Sequence, residues 1–348
     1  MNRLVLFDKN YKKLINSLTG REVISFWPNK SKINFFSLLK SAFLKMKMWN
    51  VDLKVIYYYF ELKKLSPSIV ISFNDPNDNI LKLSLLFKKV KFILIQDSYR
   101  PPGFYGSLKL KEDDILLTYS PLVKFNLCNH EYTFKTFKYF EQESLKKIPE
   151  SVIFISQYRN FSFEILKKTE QDYNSKIPNL SIKKNFDFTK SEVLFLKEIK
   201  NYFTKKKVKL FYKSAHPKNS TRFRKEDETN YFSRFNIDEI SISPIDMIKS
   251  NTNVIYLAID SSMIFELLAY GKKVLIYPYR DLYKEVELNL HIKILSERIP
   301  ELFIKKNFSD FDEKFNKLKN MNDYQFNKLI KIFTELPPFN LKHFVEIK

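Results

Sequence analysis

The sequence predicts an α/β protein with parallel sheets, divided into two domains. Two observations carry that expectation. Short apolar, β-branched and aromatic runs alternate with longer amphipathic stretches, the pattern of strands joined by crossover helices. The chain has 348 residues, 44% of them apolar and 28% charged, which suffices for two packed domains of ordinary size.

Strands are expected first at residues 3–7, 22–27, 69–73, 91–96 and 115–119, with helices at 35–47, 51–65 and 80–88. Ser66-Pro67-Ser68 ends a helix ahead of a strand, because the residue before proline is driven out of the helical region. A second series opens with a strand at 151–156, a helix near 191–205 and a strand at 208–213. Ser243-Pro244 begins a short helix, with serine as N-cap and proline in the first position. A strand at 253–259, a helix at 262–270 and a strand at 273–277 follow. Further helices are expected at 309–319, with Ser309 as N-cap, and at 323–334, before Pro337-Pro338. Residues 167–190 are polar and read as an irregular connection. The expected division is 1–147, 148–335 and a tail at 336–348.

Composition excludes several function classes. The four glycines (Gly20, Gly103, Gly106 and Gly271) fit neither a Walker loop nor a G-x-G-x-x-G turn, which need clustered glycines to let amides approach phosphate. Any phosphate site must use a helix start, hydroxyls and cations. The single Cys128 excludes an intramolecular disulfide and a Cys-rich zinc site, and Cys128-Asn129-His130 supplies too few ligands for a tetrahedral metal. The first eight residues are too short and too soon charged for a signal peptide. No uncharged apolar run approaches the roughly 18 residues of a membrane span, so a cytoplasmic protein is expected.

Sixty Lys and Arg against 39 Asp and Glu leave a formal charge of +21. Such an excess suits an anionic partner: nucleic acid, an anionic membrane surface, or phosphorylated small molecules. Drift toward Lys, Asn, Ile and Phe in an A/T-rich genome is the competing source. No nucleic-acid signature accompanies the charge, so nucleic acid is not the expected partner.

Two constellations carry chemistry. In Phe211-Tyr212-Lys213-Ser214-Ala215-His216-Pro217, an apolar strand runs into cations and a histidine whose backbone Pro217 restricts. In Leu257-Ala258-Ile259-Asp260-Ser261-Ser262, a strand ends in hydroxyls that open a helix, where unpaired amides favour an anion. Glu266 lies four residues past Ser262, one turn deeper, and Gly271 supplies a left-handed stop before Lys272-Lys273. In open parallel sheets, ligands gather at the carboxyl ends of strands, where both segments fall.

Together these segments resemble the C-terminal half of GT-B glycosyltransferase-like enzymes, in particular bacterial capsule and lipopolysaccharide biosynthesis proteins. Those carry a His-Pro after a strand and, some forty residues later, a hydroxyl pair with a following Glu and a Gly-Lys. The N-terminal segments Ser72-Phe73-Asn74-Asp75 and Gln96-Asp97-Ser98-Tyr99-Arg100 resemble strand-end loops of the same proteins, with Asp97-Ser98 departing from the usual Asn-Gly. The resemblance implies two Rossmann-like domains facing a cleft. It implies transfer of a sugar from a nucleotide-sugar donor to a glycan or lipid-linked acceptor, at an anionic inner-membrane surface. Lys213, His216, Ser261 and Ser262 would hold the donor phosphates, Glu266 its ribose, and Asp97 or Asp75 would act as base. No metal and no cofactor beyond the donor are expected. A polyanion-binding protein and a catalytically inactive assembly scaffold are the other readings.

Two further segments have plainer expectations. Glu112-Asp113-Asp114 precedes a strand, where a metal site would follow one, and reads as a solvated turn. The aromatic-basic stretch 132–139 reads as an amphipathic packing face.

Overall fold

A computed structural model describes residues 3–8, 11–27, 33–48, 50–73, 78–96, 109–136, 146–156, 182–214, 222–250, 253–259, 261–277, 290–304 and 310–346. The chain forms two compact units: Met1–Lys138 together with Pro337–Lys348, and Tyr139–Leu336. Each is built on its own parallel sheet, as the alternating pattern predicts.

Unit 1 runs β1 (Leu4–Leu6), α1 (Lys12–Thr19), β2 (Ile24–Ser25), α2 (Phe35–Lys47), α3 (Leu53–Lys64), β3 (Ile69–Ser72), α4 (Asp78–Leu86), β4 (Lys91–Ile95), β5 (Ile115–Thr118) and β6 (His130–Thr133). Its strand order is β2-β1-β3-β4-β5-β6 with every pairing parallel. The order reverses between β1 and β3. Every residue of β1, β3 and β5 is buried, as a sheet covered on both faces requires. Val5, Val70, Phe92, Leu94 and Leu116 share one apolar core with Val55, Leu62, Ile80 and Leu83 of the covering helices.

The polar strand β6 is not foreseen. Glu131 holds it in place by accepting from the amides of Phe125 (2.9 Å) and Leu127 (2.7 Å), while the Thr118 and Thr133 hydroxyls pair at 3.0 Å. The expected solvated turn holds for Glu112 and Asp113, which are exposed, and is corrected at Asp114. Asp114 is fully buried, accepts from the amides of Phe92 (2.9 Å) and Lys111 (3.3 Å), and pairs with the Lys111 ammonium at 3.4 Å. Its role is to tie a turn to β4, since a buried carboxylate must be fully partnered.

Unit 2 runs β7 (Val152–Ile155), α5 (Ile182–Lys205), β8 (Leu210–Lys213), α6 (Arg222–Ser233), β9 (Asp238–Glu239), α7 (Pro244–Lys249), β10 (Ile255–Ala258), α8 (Met263–Ala269), β11 (Lys273–Ile276), α9 (Leu290–Arg298), α10 (Phe311–Asn320), α11 (Asp323–Leu329) and α12 (Lys331–Thr334). The strand order is β11-β10-β7-β8-β9, again all parallel. The chain winds outward from β7 through β8 to β9, then crosses to β10 and β11. Rings fill the layers between this sheet and its helices: Phe195 stacks on Tyr277 at 4.1 Å, and Tyr212 on Phe232 at 4.0 Å.

The expected N-cap at Ser243 is present as a full capping box with Asp246. Helix α5 begins at Ile182, so the end of the expected irregular stretch is helical. The helix expected over 323–334 is two, divided at Ile330. Ser309 lies outside the described residues, and Asp310 stands at the start of α10.

The last segment returns to unit 1. Lys135 donates its amide to the Pro337 carbonyl at 2.9 Å, and Arg21 Nη1 donates to the Val345 carbonyl at 3.2 Å. Phe344, in α13 (Lys342–Val345), packs its ring against Tyr132 and Phe134. Leu341 and Val345 are fully buried.

Candidate functional site

The chemistry-bearing segments of unit 2 converge at the carboxyl edge of its sheet. Strand β7 pairs with β8 on one side (Ile155 with Lys213) and with β10 on the other (Phe154 with Leu257). Neighbouring parallel strands lie about 4.8 Å apart, so the three exits form one edge. Ser156 leaves β7, Lys213-Ser214 leaves β8, and Ser261-Ser262 follows β10. The order of the sheet reverses between β7 and β10, and such a switch point opens the crevice where α/β proteins bind ligands.

At this edge lies a carboxylate that sequence reasoning missed. Glu228 of α6 is fully buried, and the Ser156 hydroxyl donates to its Oε1 at 2.5 Å. The Ser214 hydroxyl donates to its Oε2. One side chain thus ties a helix to two adjacent strand exits. Within Arg222–Ser233 nothing marks Glu228 apart from Glu226 and Asp227. The signal lay in the strands, each of which is followed directly by a serine.

Ser261 and Ser262 stand at the start of α8, as the sequence predicts. Ser261 Oγ accepts from the Met263 amide at 3.3 Å, and Ser262 occupies the N-cap position with helical backbone and no side-chain cap bond. Both are half-buried. Glu266 is 3% exposed, so it is not the solvated carboxylate that a plain helix start would leave. Burial, and then the Glu266 charge, push the Tyr270 phenol above its ordinary value. Lys213 is half-buried and donates to the Ser214 carbonyl at 3.1 Å.

Gly271 adopts φ +71° and closes α8 with a Schellman motif: its amide bonds Leu268 O and the Lys272 amide bonds Leu267 O, both at 3.0 Å. The lysines that follow are structural. Lys272 donates to Ser250 O, and Lys273 donates to Met321 O at 2.6 Å and Lys319 O at 3.3 Å. Burial lowers the pKa of both ammonium groups.

The topology therefore places Lys213, Ser261 and Ser262 at one sheet edge, with Glu266 buried within the helix that Ser261 and Ser262 open. His216, Asp75 and Asp97 lie outside the described residues. Among the described residues, no group of three or more His, Cys, Asp and Glu could hold a metal ion. A cavity of about 480 Å³ lies elsewhere, at the amino edge of β4–β6 in unit 1, lined by Lys88, Lys91, Lys111, His130, His343 and Phe344 among others. It belongs to unit 1, and the site is assigned on the strand exits of unit 2.

No protein-family model matches the chain, and no curated protein matches it. Several solved structures are similar to it. The spinosyn forosaminyltransferase SpnP is 10% identical, with 97% of this chain and 96% of that chain covered and a TM-score of 0.48. MurG of Acinetobacter baumannii is 10% identical, with coverage of 99% and 98% and a TM-score of 0.47. A protein provisionally named as a UDP-N-acetylglucosamine 2-epimerase, from Listeria monocytogenes, is 11% identical, with coverage of 99% and 94% and a TM-score of 0.48. These likenesses assign no activity to this chain.

Proposed function

We propose that the chain is a glycosyltransferase of GT-B architecture, moving a sugar from a nucleotide-activated donor to a surface-polysaccharide or lipid-linked acceptor. One observation supports the reading: Lys213 ends β8 and Ser261-Ser262 follow β10, on either side of β7 at the carboxyl edge of one sheet, beside its switch point. Hydroxyls and an ammonium there suit the donor's phosphates. Glu266, one turn into α8, accepts from ribose hydroxyls. His216 follows β8 in the same segment and completes the phosphate set.

For an inverting transfer, the acceptor oxygen attacks the anomeric carbon as the bond from that carbon to the phosphate oxygen breaks. The acceptor proton passes to Asp97 or Asp75, which follow β4 and β3, and the nucleotide leaves with the bonding pair. The cationic and hydroxyl groups of unit 2 stabilise the charge that develops on it. The reaction proceeds without a divalent cation, and activity abolished by EDTA and restored by Mn²⁺ would refute that part.

The test is calorimetry of the full chain with nucleoside diphosphates, CMP and nucleotide sugars. Ser261→Ala with Ser262→Ala, His216→Ala and Glu266→Gln each weaken nucleotide binding by roughly ten- to a hundredfold, the worth of a hydrogen bond to a charged ligand. Glutamine is chosen at position 266 because burial makes a truncation there destabilising in its own right. Wild-type affinity in all of these variants would refute the donor site. Salt-steep binding of nucleic acid with no nucleotide-sugar binding would point to a polyanion-binding protein instead.

A further inference from the structure

Helix α2 is turned inside out. Its buried residues are Ser37 and Ser41, while Phe36 (73% exposed), Met46 (72%), Phe35 (68%) and Phe43 (61%) face outward, with Leu39 between them. The fold accounts for the inward face: Ser41 Oγ donates to the Ser37 carbonyl at 2.6 Å, satisfying a hydroxyl that would be costly to bury unpaired. It does not account for the outward one. Trp27 and Ile33 before the helix and Leu53 after it are exposed as well. A monomer seldom exposes such a contiguous patch unless something covers it.

Charge identifies the cover. Between Glu22 and Asp52 the sequence holds no acidic residue and five lysines, at positions 30, 32, 40, 45 and 47. Both tryptophans of the chain, Trp27 and Trp49, stand on either side of α2 in the sequence. Thirteen residues span about 20 Å, too short to cross a bilayer, and among the described residues no helix is long and apolar enough to do so. An apolar face bordered by lysines and flanked by tryptophan suits a helix lying in the plane of a lipid interface. A second copy fits worse, because a two-fold contact through α2 sets its lysines against one another with no carboxylate on the helix to pair them.

We infer that α2 is a membrane-docking helix for an acidic lipid surface, with Phe35, Phe36, Phe43 and Met46 entering the headgroup–acyl boundary and the exposed Lys40 and Lys47 meeting lipid charges, while Lys45 is held by the Val51 carbonyl at 2.8 Å. The inference is independent of the transfer reading and stands or falls without any activity measurement.

The test uses the full chain and vesicles of phosphatidylcholine with 30% phosphatidylglycerol, beside vesicles of phosphatidylcholine alone. Because both tryptophans flank α2, their emission reports this segment. Acidic vesicles shift it to the blue, lipids brominated on the acyl chains quench it, and raising NaCl from 0.1 to 0.5 M releases the protein. Phe36→Ser with Phe43→Ser lowers the partition coefficient at least about tenfold, and Lys40→Gln with Lys47→Gln lowers it on the order of tenfold. Far-UV circular dichroism confirms that these surface variants keep their fold. Failure of the wild type to bind acidic vesicles, equal binding to neutral ones, or wild-type binding by the phenylalanine variant would each overturn the inference. So would a dimer in sedimentation that the same phenylalanine substitutions dissolve, since a second copy would then be the cover.

Discussion

Replacing Glu228 by alanine tests whether one carboxylate holds the candidate edge together. The variant loses two charge-assisted hydrogen bonds, from Ser156 and Ser214, on a fully buried side chain. At about 1.5–3 kcal/mol each, the loss is about 3–6 kcal/mol, a large share of the 5–15 kcal/mol typical of a folded domain. Glutamine keeps one acceptor and offers a donor in place of the other, so Glu228→Gln loses only about 1–3 kcal/mol. Both tryptophans lie in unit 1, which gives the assay an internal reference. In urea, Trp fluorescence follows unit 1 while far-UV circular dichroism follows both units. Glu228→Ala should split the dichroism transition, bringing an early component that the fluorescence does not share. Double-mutant cycles with Ser156→Ala and Ser214→Ala should each return a coupling of about 1–3 kcal/mol. An alanine variant within 1 kcal/mol of wild type, or one that moves only the fluorescence, would refute the assignment.

Gly271→Ala forces a side chain into left-handed backbone, at about 1–2 kcal/mol, and sets its Cβ 2.7 Å from Asn327 Oδ1. Thermal melting should fall by several degrees, and adding Asn327→Ala should recover the steric part alone. Burial raises the Cys128 thiol from 9.0 to about 11, which cuts its thiolate population at pH 8 about a hundredfold, while the more basic thiolate regains about tenfold in nucleophilicity. Alkylation of the folded protein should therefore run about tenfold slower than in urea, and equal rates would show the thiol to be unprotected. Because the folded value lies above the unfolded one, the stability this group lends is complete below pH 9 and lost between pH 9 and about 11, as a Cys128→Ala comparison across that range would reveal. Asp246 accepts from the Ser243 amide (2.9 Å) and hydroxyl (2.6 Å) and from the Lys146 amide (3.1 Å), so Asp246→Ala should cost about 2–4 kcal/mol in urea denaturation.

The central strands were legible because parallel sheets covered on both faces require continuous apolar runs, and Ile69–Ser72, Val152–Ile155 and Ile255–Ala258 are such runs. The strands that escaped, His130–Thr133 and Asp238–Glu239, are the outermost of their sheets, where polar composition is tolerated and even protective. Helix α6 escaped because half of its residues are charged and its anchor is a buried glutamate. Ser261 and Ser262 were legible as hydroxyls wedged between an apolar run and a glycine stop. Glu228 was not, because its meaning depends on two serines 72 and 14 residues away. The orientation of α2 was equally hidden: a run of Phe, Ser, Leu and Lys does not say which face goes inward, and only packing against the rest of unit 1 decides it.

The return of residues 337–346 to unit 1 makes unit 2, in topological terms, an insertion within its neighbour. During synthesis, the partners of Lys135 and Arg21 emerge only after unit 2 has been made, about 200 residues later. At 5–20 residues per second, that is a wait of roughly 10–40 s, during which Tyr132 and Phe134 lack the ring of Phe344. Unit 1 must tolerate an incomplete outer strand for that interval, and its polar β6 suits the task, since a bare apolar edge would invite pairing with another nascent chain. The same threading means that proteolysis between the units separates no intact unit 1, because part of it remains attached beyond unit 2.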